Sequence, residues 1–433
     1  MRDPTVETEV EENSVTSPAL ARRLGLTDAV VIGLGSMIGA GIFAAFTPAA
    51  AAAGPFLLVG LAIAAVVAVC NATSSAQLAA QYPTSGGTYV YGRERLGAWP
   101  GFLAGWCFVI GKTASCAAMA LTFAAYTAPD GFEKPVAVLA VLALAAVNYF
   151  GITRTAGLAR MIVTVVLVVL ALVVLAGALN PGLWPPVVNT NTGTGAGAVG
   201  WYGILQSAGL LFFAFAGYAR IATMGEEVKA PAQTIPRAIV LALSIALVVY
   251  AFIAVTVLRT LGVDGLATSV RPLSDVVVAA GWSWAAPIVG FGAAAAALGA
   301  LLALITGVGR TSLAMARNRD LPSWLAAVHP RHAVPHHAEI ALAVVVSILV
   351  LTVDLRGAIG FSSFGVLLYY FIANIAAFTQ TRAYRRFPKA VQLFGAVACL
   401  ILVATLPIIS IVGGVAVLAA GVVYRGARLA LTR

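Results

Sequence analysis

The chain has 433 residues, 61% hydrophobic and 10% charged, with a mean hydropathy of +0.97 and a formal net charge of +10. These proportions exclude an ordinary water-soluble globular protein and point to an all-α polytopic membrane protein. The basic surplus does not indicate nucleic acid, because Lys and Arg are scattered over short segments with no single basic face.

The first 24 residues carry five acids and no apolar core. They read as a disordered cytoplasmic tail, not as a signal peptide. Residues 25–430 read as a single transmembrane domain of about twelve helices. The apolar segments lie near 28–53, 56–80, 99–127, 135–150, 157–179, 201–227, 235–262, 284–316, 338–353, 356–379, 390–406 and 408–424. Threaded this way, 20 of the 26 Lys and Arg fall on one side. Four, Lys134, Arg259, Arg271 and Arg356, fall on the other. The positive side is expected to be cytoplasmic, with both termini inside. Lys112 and Arg220 fall within apolar segments.

Segment 1 contains Gly33-Leu-Gly-Ser-Met-Ile-Gly-Ala-Gly-Ile-Phe43. Four glycines in nine positions make a poor helix interior. A break inside a bilayer strands backbone groups and is tolerated only where they line a cavity or meet a ligand. Segment 3 carries Lys112 about eleven residues from its start, too deep for easy snorkelling. Lys112, Ser115, Cys116 and Met119 share one face, which should point into the bundle. Lys112 is either satisfied by nearby carbonyls or serves proton coupling, since an ammonium deprived of water exchanges its proton more readily.

Segment 6 reads Leu211-Phe-Phe-Ala-Phe-Ala-Gly217-Tyr-Ala-Arg220 and continues to Glu226 and Glu227. Gly217, flanked by aromatics, predicts a second interruption, five segments after the first. Two inverted five-helix halves follow, with two helices appended, and the paired breaks place a binding site at the midplane. The half-helix near Ala40–Gly41 offers N–H groups and a positive dipole end to a carboxylate. Carbonyls near Met37–Ile38 and Phe215–Ala216 suit an ammonium. Together they describe a site for an α-amino acid. Arg220 either lines that site or pairs with Glu226 or Glu227; residues 223, 224 and 227 share its face.

Residues 286–305 of segment 8 contain no Ser, Thr, Asn, Asp or Glu, so a sodium site is not expected there. His329, His332, His336 and His337 cluster in one loop, either as a solvated stretch or as a metal site. Cys70, Cys107, Cys116 and Cys399 all lie in apolar segments, so neither disulfides nor a metal motif is expected.

Several stretches resemble the amino acid–polyamine–organocation transporters, the cationic amino acid transporter branch in particular. In segment 1, Gly35-Ser36-Met37-Ile38-Gly39-Ala40-Gly41-Ile42-Phe43 is similar to the family's Gly-x-x-Ile-Gly-x-Gly-Ile-Phe. Tyr82-Pro83-Thr84-Ser85-Gly86-Gly87-Thr88-Tyr89 resembles its Pro-x-Ser-Gly-Gly-x-Tyr loop. Phe212 to Phe215 and Ile221 to Val228 resemble its sixth helix, and Arg310, Ala314 to Arg317 and Leu321-Pro322 a loop signature.

The resemblance implies a LeuT-type fold with helices 1 and 6 discontinuous, working by alternating access. It implies that Ser36 to Gly41 hold a substrate carboxylate and that the Phe215–Ala216 carbonyls, beside Gly217 and Ala219, hold its amine. Phe213 corresponds to an aromatic that closes over substrate in related antiporters; as an alternative it simply packs. Four places depart from the family, one of them the loop after segment 8, where Asn318-Arg319-Asp320 replaces the usual Asp-Gly. Ala219 replaces a frequent acid, Val166 stands where proton-coupled relatives carry a lysine, and Ser75-Ala76-Gln77-Leu78 replaces Tyr-Ala-Glu-Leu.

The expectation is a secondary active amino-acid permease of the bacterial inner membrane, proton-coupled or exchanging, with no cofactor or metal and no enzyme chemistry. With Ala219, Lys112 and Arg220 near the site, small or medium neutral amino acids should be preferred over arginine and lysine. Alternatives are a polyamine transporter, a membrane enzyme or a channel.

Overall fold

The computed structural model describes residues 24–84, 86–150, 156–179, 200–225, 227–332 and 334–431. The expected tail (bar Leu24), Ser85 and Glu226 lie outside these. The helices are α1 (Leu26–Met37), α2 (Ala40–Ala44), α3 (Phe46–Ala53), α4 (Leu57–Gln81), α5 (Thr88–Leu96), α6 (Ala98–Thr127), α7 (Glu133–Tyr149) and α8 (Ala156–Ala178). There follow α9 (Trp201–Phe215), α10 (Ala219–Ala222), α11 (Pro231–Thr268), α12 (Pro272–Ala279), α13 (Ala286–Arg317), α14 (His336–Thr352), α15 (Leu355–Phe378), α16 (Lys389–Thr405) and α17 (Ile408–Leu431).

Among the described residues, nine helical stretches are long and apolar enough to cross a membrane. Three further helices, α7, α14 and α16, have 17 residues each, about 25 Å of rise. Nine and three make twelve crossings, and each coincides with an expected segment. Helices dominate because lipid offers no hydrogen bonds, so each crossing must satisfy its own backbone. α5 and α12, short and outside the expected segments, are additions. α11 runs past the expected end of segment 7, with a non-helical kink at Gly262 (φ 70°) where that end was placed.

Two groups of helices pack around the centre. α1, α4, α9 and α11 form one; α6, α7, α13 and α14 form the other; α8 and α15 touch both. Small residues let backbones approach: a Cβ added to Gly111 of α6 would lie 3.2 Å from Gly365 Cα of α15. The end of the bundle bearing Arg93, Arg317 and Arg425 is the basic end. There Asp320, 5% exposed, is shared by Arg93 (2.8 Å) and Arg425. The Arg425 guanidinium lies over the rings of Trp99 and Phe102, 5.0 and 4.7 Å from their centres. Arg428 donates to the Leu321 carbonyl. These contacts fasten α17, the last helix among the described residues, to α6 and to the loop after α13.

Candidate functional site at the two helix breaks

In the first broken element, Ile38 (φ −81°, ψ 51°) and Gly39 (φ −98°, ψ −142°) leave helical geometry, and the helix restarts at Ala40. The Ala40 amide donates to Met119 Sδ at 3.3 Å. Space, not a positive φ, explains the glycines here. A Cβ at Gly39 would stand 2.8 Å from Ala300 Cβ, and one at Gly41 would stand 2.6 Å from Ala214 Cα. Gly41 thus lets α2 lie against α9.

The second broken element tightens where the sequence predicts an interruption. α9 passes into one 3-10 turn, Ala216–Tyr218, and then into the four residues of α10. A mid-helix 3-10 turn of this kind often marks a hinge. A Cβ at Gly217 would overlap the Ser36 carbonyl. The two breaks therefore touch backbone to backbone. Tyr250 of α11, 1% exposed, reaches both: its hydroxyl lies 2.6 Å from Met37 O and 2.9 Å from Ala214 O. A phenol has one proton to donate, so the two carbonyls share it.

Lys112 crosses from the other helix group. It is 6% exposed, and its Nζ donates to Ala216 O at 3.1 Å. The Tyr370 hydroxyl reaches the same oxygen at 3.5 Å. An ammonium therefore already sits on one of the carbonyls expected to take a ligand's amine. The inward face expected of α6 is present: Lys112, Ser115, Cys116 and Met119 are all buried, and Ser115 Oγ lies 2.6 Å from Ser362 Oγ of α15.

A cavity of about 100 Å³ begins at this junction. Ser36, Lys112, Gly217, Ala219 and Arg220 line its inner part, and Gly307, Arg310 and Ala314 carry it along α13 toward the basic end. Met37, Ile38, Gly39, Ala40, Gly41, Phe213, Phe215 and Ala216 are buried behind that lining. Arg220 Nη1 donates to Thr223 Oγ1 (3.1 Å), and its Nη2 is 3.8 Å from Glu227 Oε1. Arg310 is the closer partner of that oxygen, at 2.9 Å. Arg310 leaves α13 while Glu227 follows α10, so this pair also joins the two helix groups.

Among the described residues no group of His, Cys, Asp or Glu is arranged to hold a metal ion. In the histidine cluster, His329 Nδ1 accepts the backbone amides of Arg331 and His332, both at 3.2 Å. Tyr250 and Tyr370 escaped notice in the sequence, and Asp320 was noted there only as a departure from the family loop, not as a partner of Arg93 and Arg425. A lone tyrosine within the apolar run of segment 7 was the available sign, because a buried phenol needs a partner.

The family model described as amino acid permease matches residues 24–425. An uncharacterized transporter of Mycobacterium tuberculosis (strain ATCC 25618 / H37Rv) is 60% identical over 414 residues, 96% of this chain and 93% of its own length. Cationic amino acid transporter 7, chloroplastic, of Arabidopsis thaliana is 29% identical, covering 88% of this chain and 70% of its own. The branched-chain amino acid permease BcaP of Bacillus subtilis is 26% identical, covering 86% and 83%. A family match across nearly the whole chain, on a bundle of twelve crossings with two broken helices, makes this protein a member of the amino acid permease family: a multi-pass membrane transporter, not an enzyme.

Proposed function

We propose that the protein is a secondary active permease for a neutral α-amino acid, bound between the two breaks. The substrate carboxylate meets the amide end of α2, and the ammonium meets the carbonyls at Phe215–Ala216. The basic end faces the cytoplasm of a bacterial cell, as the distribution of Lys and Arg argues, and the cavity is then the inner vestibule. The observation that carries this reading is the Lys112 bond to Ala216 O at 3.1 Å. The protein's own ammonium rests where a substrate ammonium must go. Substrate entry therefore displaces Lys112 from that carbonyl, and the displaced lysine can give up its proton, which couples transport to protons. The relatives named for branched-chain and for cationic amino acids support an amino-acid substrate. The cavity wall, with Lys112, Arg220 and Arg310, disfavours a cationic one.

Thermal unfolding of the purified protein against a panel of amino acids tests the substrate class. A ligand that binds the folded state alone raises the melting temperature by mass action. Stabilisation by alanine, serine or leucine and not by arginine or lysine is expected. Stabilisation by arginine alone would overturn the neutral assignment.

A further inference from the structure

Glu339 stands in the first turn of α14, 2% exposed, and its Oε2 is buried without a hydrogen-bond partner. Gly309 of α13 makes room for it: a Cβ there would be 3.1 Å from Glu339 Cγ and 3.5 Å from Oε1. The next residue of α13 is Arg310. Its charge acts on Glu339, but its ion pair is with Glu227. The other titratable groups nearby are His336 and His337 on the same helix, His329 and His332 in the preceding loop, and Tyr149 of α7. These rings pack on one another. From α6, Lys112 is bonded to Ala216. Arg310 thus stands between two carboxyl groups, while Arg220, 3.8 Å from the same Glu227 oxygen, lies on Glu227's own side. Of the two carboxyl groups, Glu227 belongs to the helix group opposite Arg310, and Glu339 belongs to its own.

An unpaired buried carboxylate is costly, whereas a neutral acid or an ion-paired carboxylate is not. We propose that Glu339 is a proton-binding site that sets the mouth of the cavity. With the proton on Glu339, Arg310 stays on Glu227 and ties the two helix groups together. When the proton leaves for the water at the mouth, the carboxylate draws Arg310 across, the tie to Glu227 breaks, and the mouth opens. The inference rests on the permease reading through its alternating access, but its test needs no substrate.

Ala314 lines the mouth, and the four native cysteines are buried. A cysteine at Ala314→Cys therefore reports opening through its labelling by a water-soluble maleimide. Glu94→Cys, on the exposed side of α5, corrects for the pH dependence of the thiol itself. Between about pH 5 and pH 8 the corrected labelling of A314C should rise roughly tenfold, as a two-state population shifts. Glu339→Gln, a fixed neutral mimic, should hold labelling low and flat. Glu227→Gln, which removes the tie, should hold it high and flat. A rise that persists in E339Q, or one that persists in E227Q, would overturn the proposal. If E339Q does not insert, E227Q decides alone. Failure here leaves the substrate assignment intact, because the thermal-unfolding panel tests that separately.

Discussion

Replacing Lys112 by methionine keeps an unbranched side chain, shorter by the terminal nitrogen, and removes its ammonium, and two opposing terms set the outcome. The bond to Ala216 O is charge-assisted, worth about 1.5–3 kcal/mol. Holding a lysine at mid-membrane costs about 2.5–3.5 kcal/mol on insertion scales. The two largely offset each other, leaving a balance of at most about 2 kcal/mol by these figures, so Lys112→Met should still insert and fold. Function should change far more. Ala216 O is released, and a substrate ammonium no longer has to displace a tethered one. Recovering about 1.5–3 kcal/mol sets an upper bound of roughly 10- to 100-fold tighter binding without a proton gradient. The acceleration of uptake by an inward proton gradient should disappear. The assay is uptake into proteoliposomes at several pH gradients, corrected for protein amount, beside equilibrium binding of the amino acid that stabilises most. An unchanged gradient response in K112M, or a parent protein indifferent to the gradient, would refute the displacement reasoning and leave Lys112 a structural residue.

Tyr250→Phe leaves the carbonyls of Met37 and Ala214 without their shared donor and should destabilise the protein by about 1–3 kcal/mol. Denaturant unfolding of the purified variant measures this, and a change below about 0.5 kcal/mol would mean that those carbonyls find other donors. Gly41→Leu and Gly217→Ala should both insert yet lose substrate binding, because the first pushes α2 from α9 and the second forces apart the contact with Ser36; normal uptake by either counts against the close-contact account. Asp320→Asn leaves the Arg425 guanidinium buried without its carboxylate, a loss of about 3–5 kcal/mol. Its double with Arg425→Met should be milder, and a double no better than D320N alone would show that the buried charge is not the cause.

The twelve crossings and the first break were legible because each is written locally. Length and apolarity mark a span, and four glycines in nine positions can only weaken a helix there. Gly217 marked the second break, although the sequence could not say that the chain tightens into a 3-10 turn. α5 and α12 were missed because short helices without a long apolar run carry no membrane signal. The site's connections were less legible for a different reason. Tyr250 meets Met37 across 213 residues of chain, and Lys112 meets Ala216 across 104. No periodicity records such pairings. The glycines at 39 and 41 were read as weakening the helix; that Ala300 and Ala214 pack close against them is a long-range contact no local pattern records. The arginine at 220 was placed on the right face for Glu227, but Arg310, the nearer partner, comes from a helix eighty residues on.

The fastening of α17 has a consequence for biogenesis. Asp320 and Arg425 are separated by 105 residues, so the ribosome completes the carboxylate long before it supplies the second guanidinium. At translation rates of about 5–20 residues per second the interval is roughly 5–20 s. During it Asp320 has Arg93 alone, and the rings of Trp99 and Phe102 stand without the cation that later covers them. The nascent permease therefore carries an unfinished charge pair at its basic end until α17 is released into the bilayer. A chain truncated before Arg425 never finishes it, which gives membrane quality control a definite difference to read between chains with and without α17.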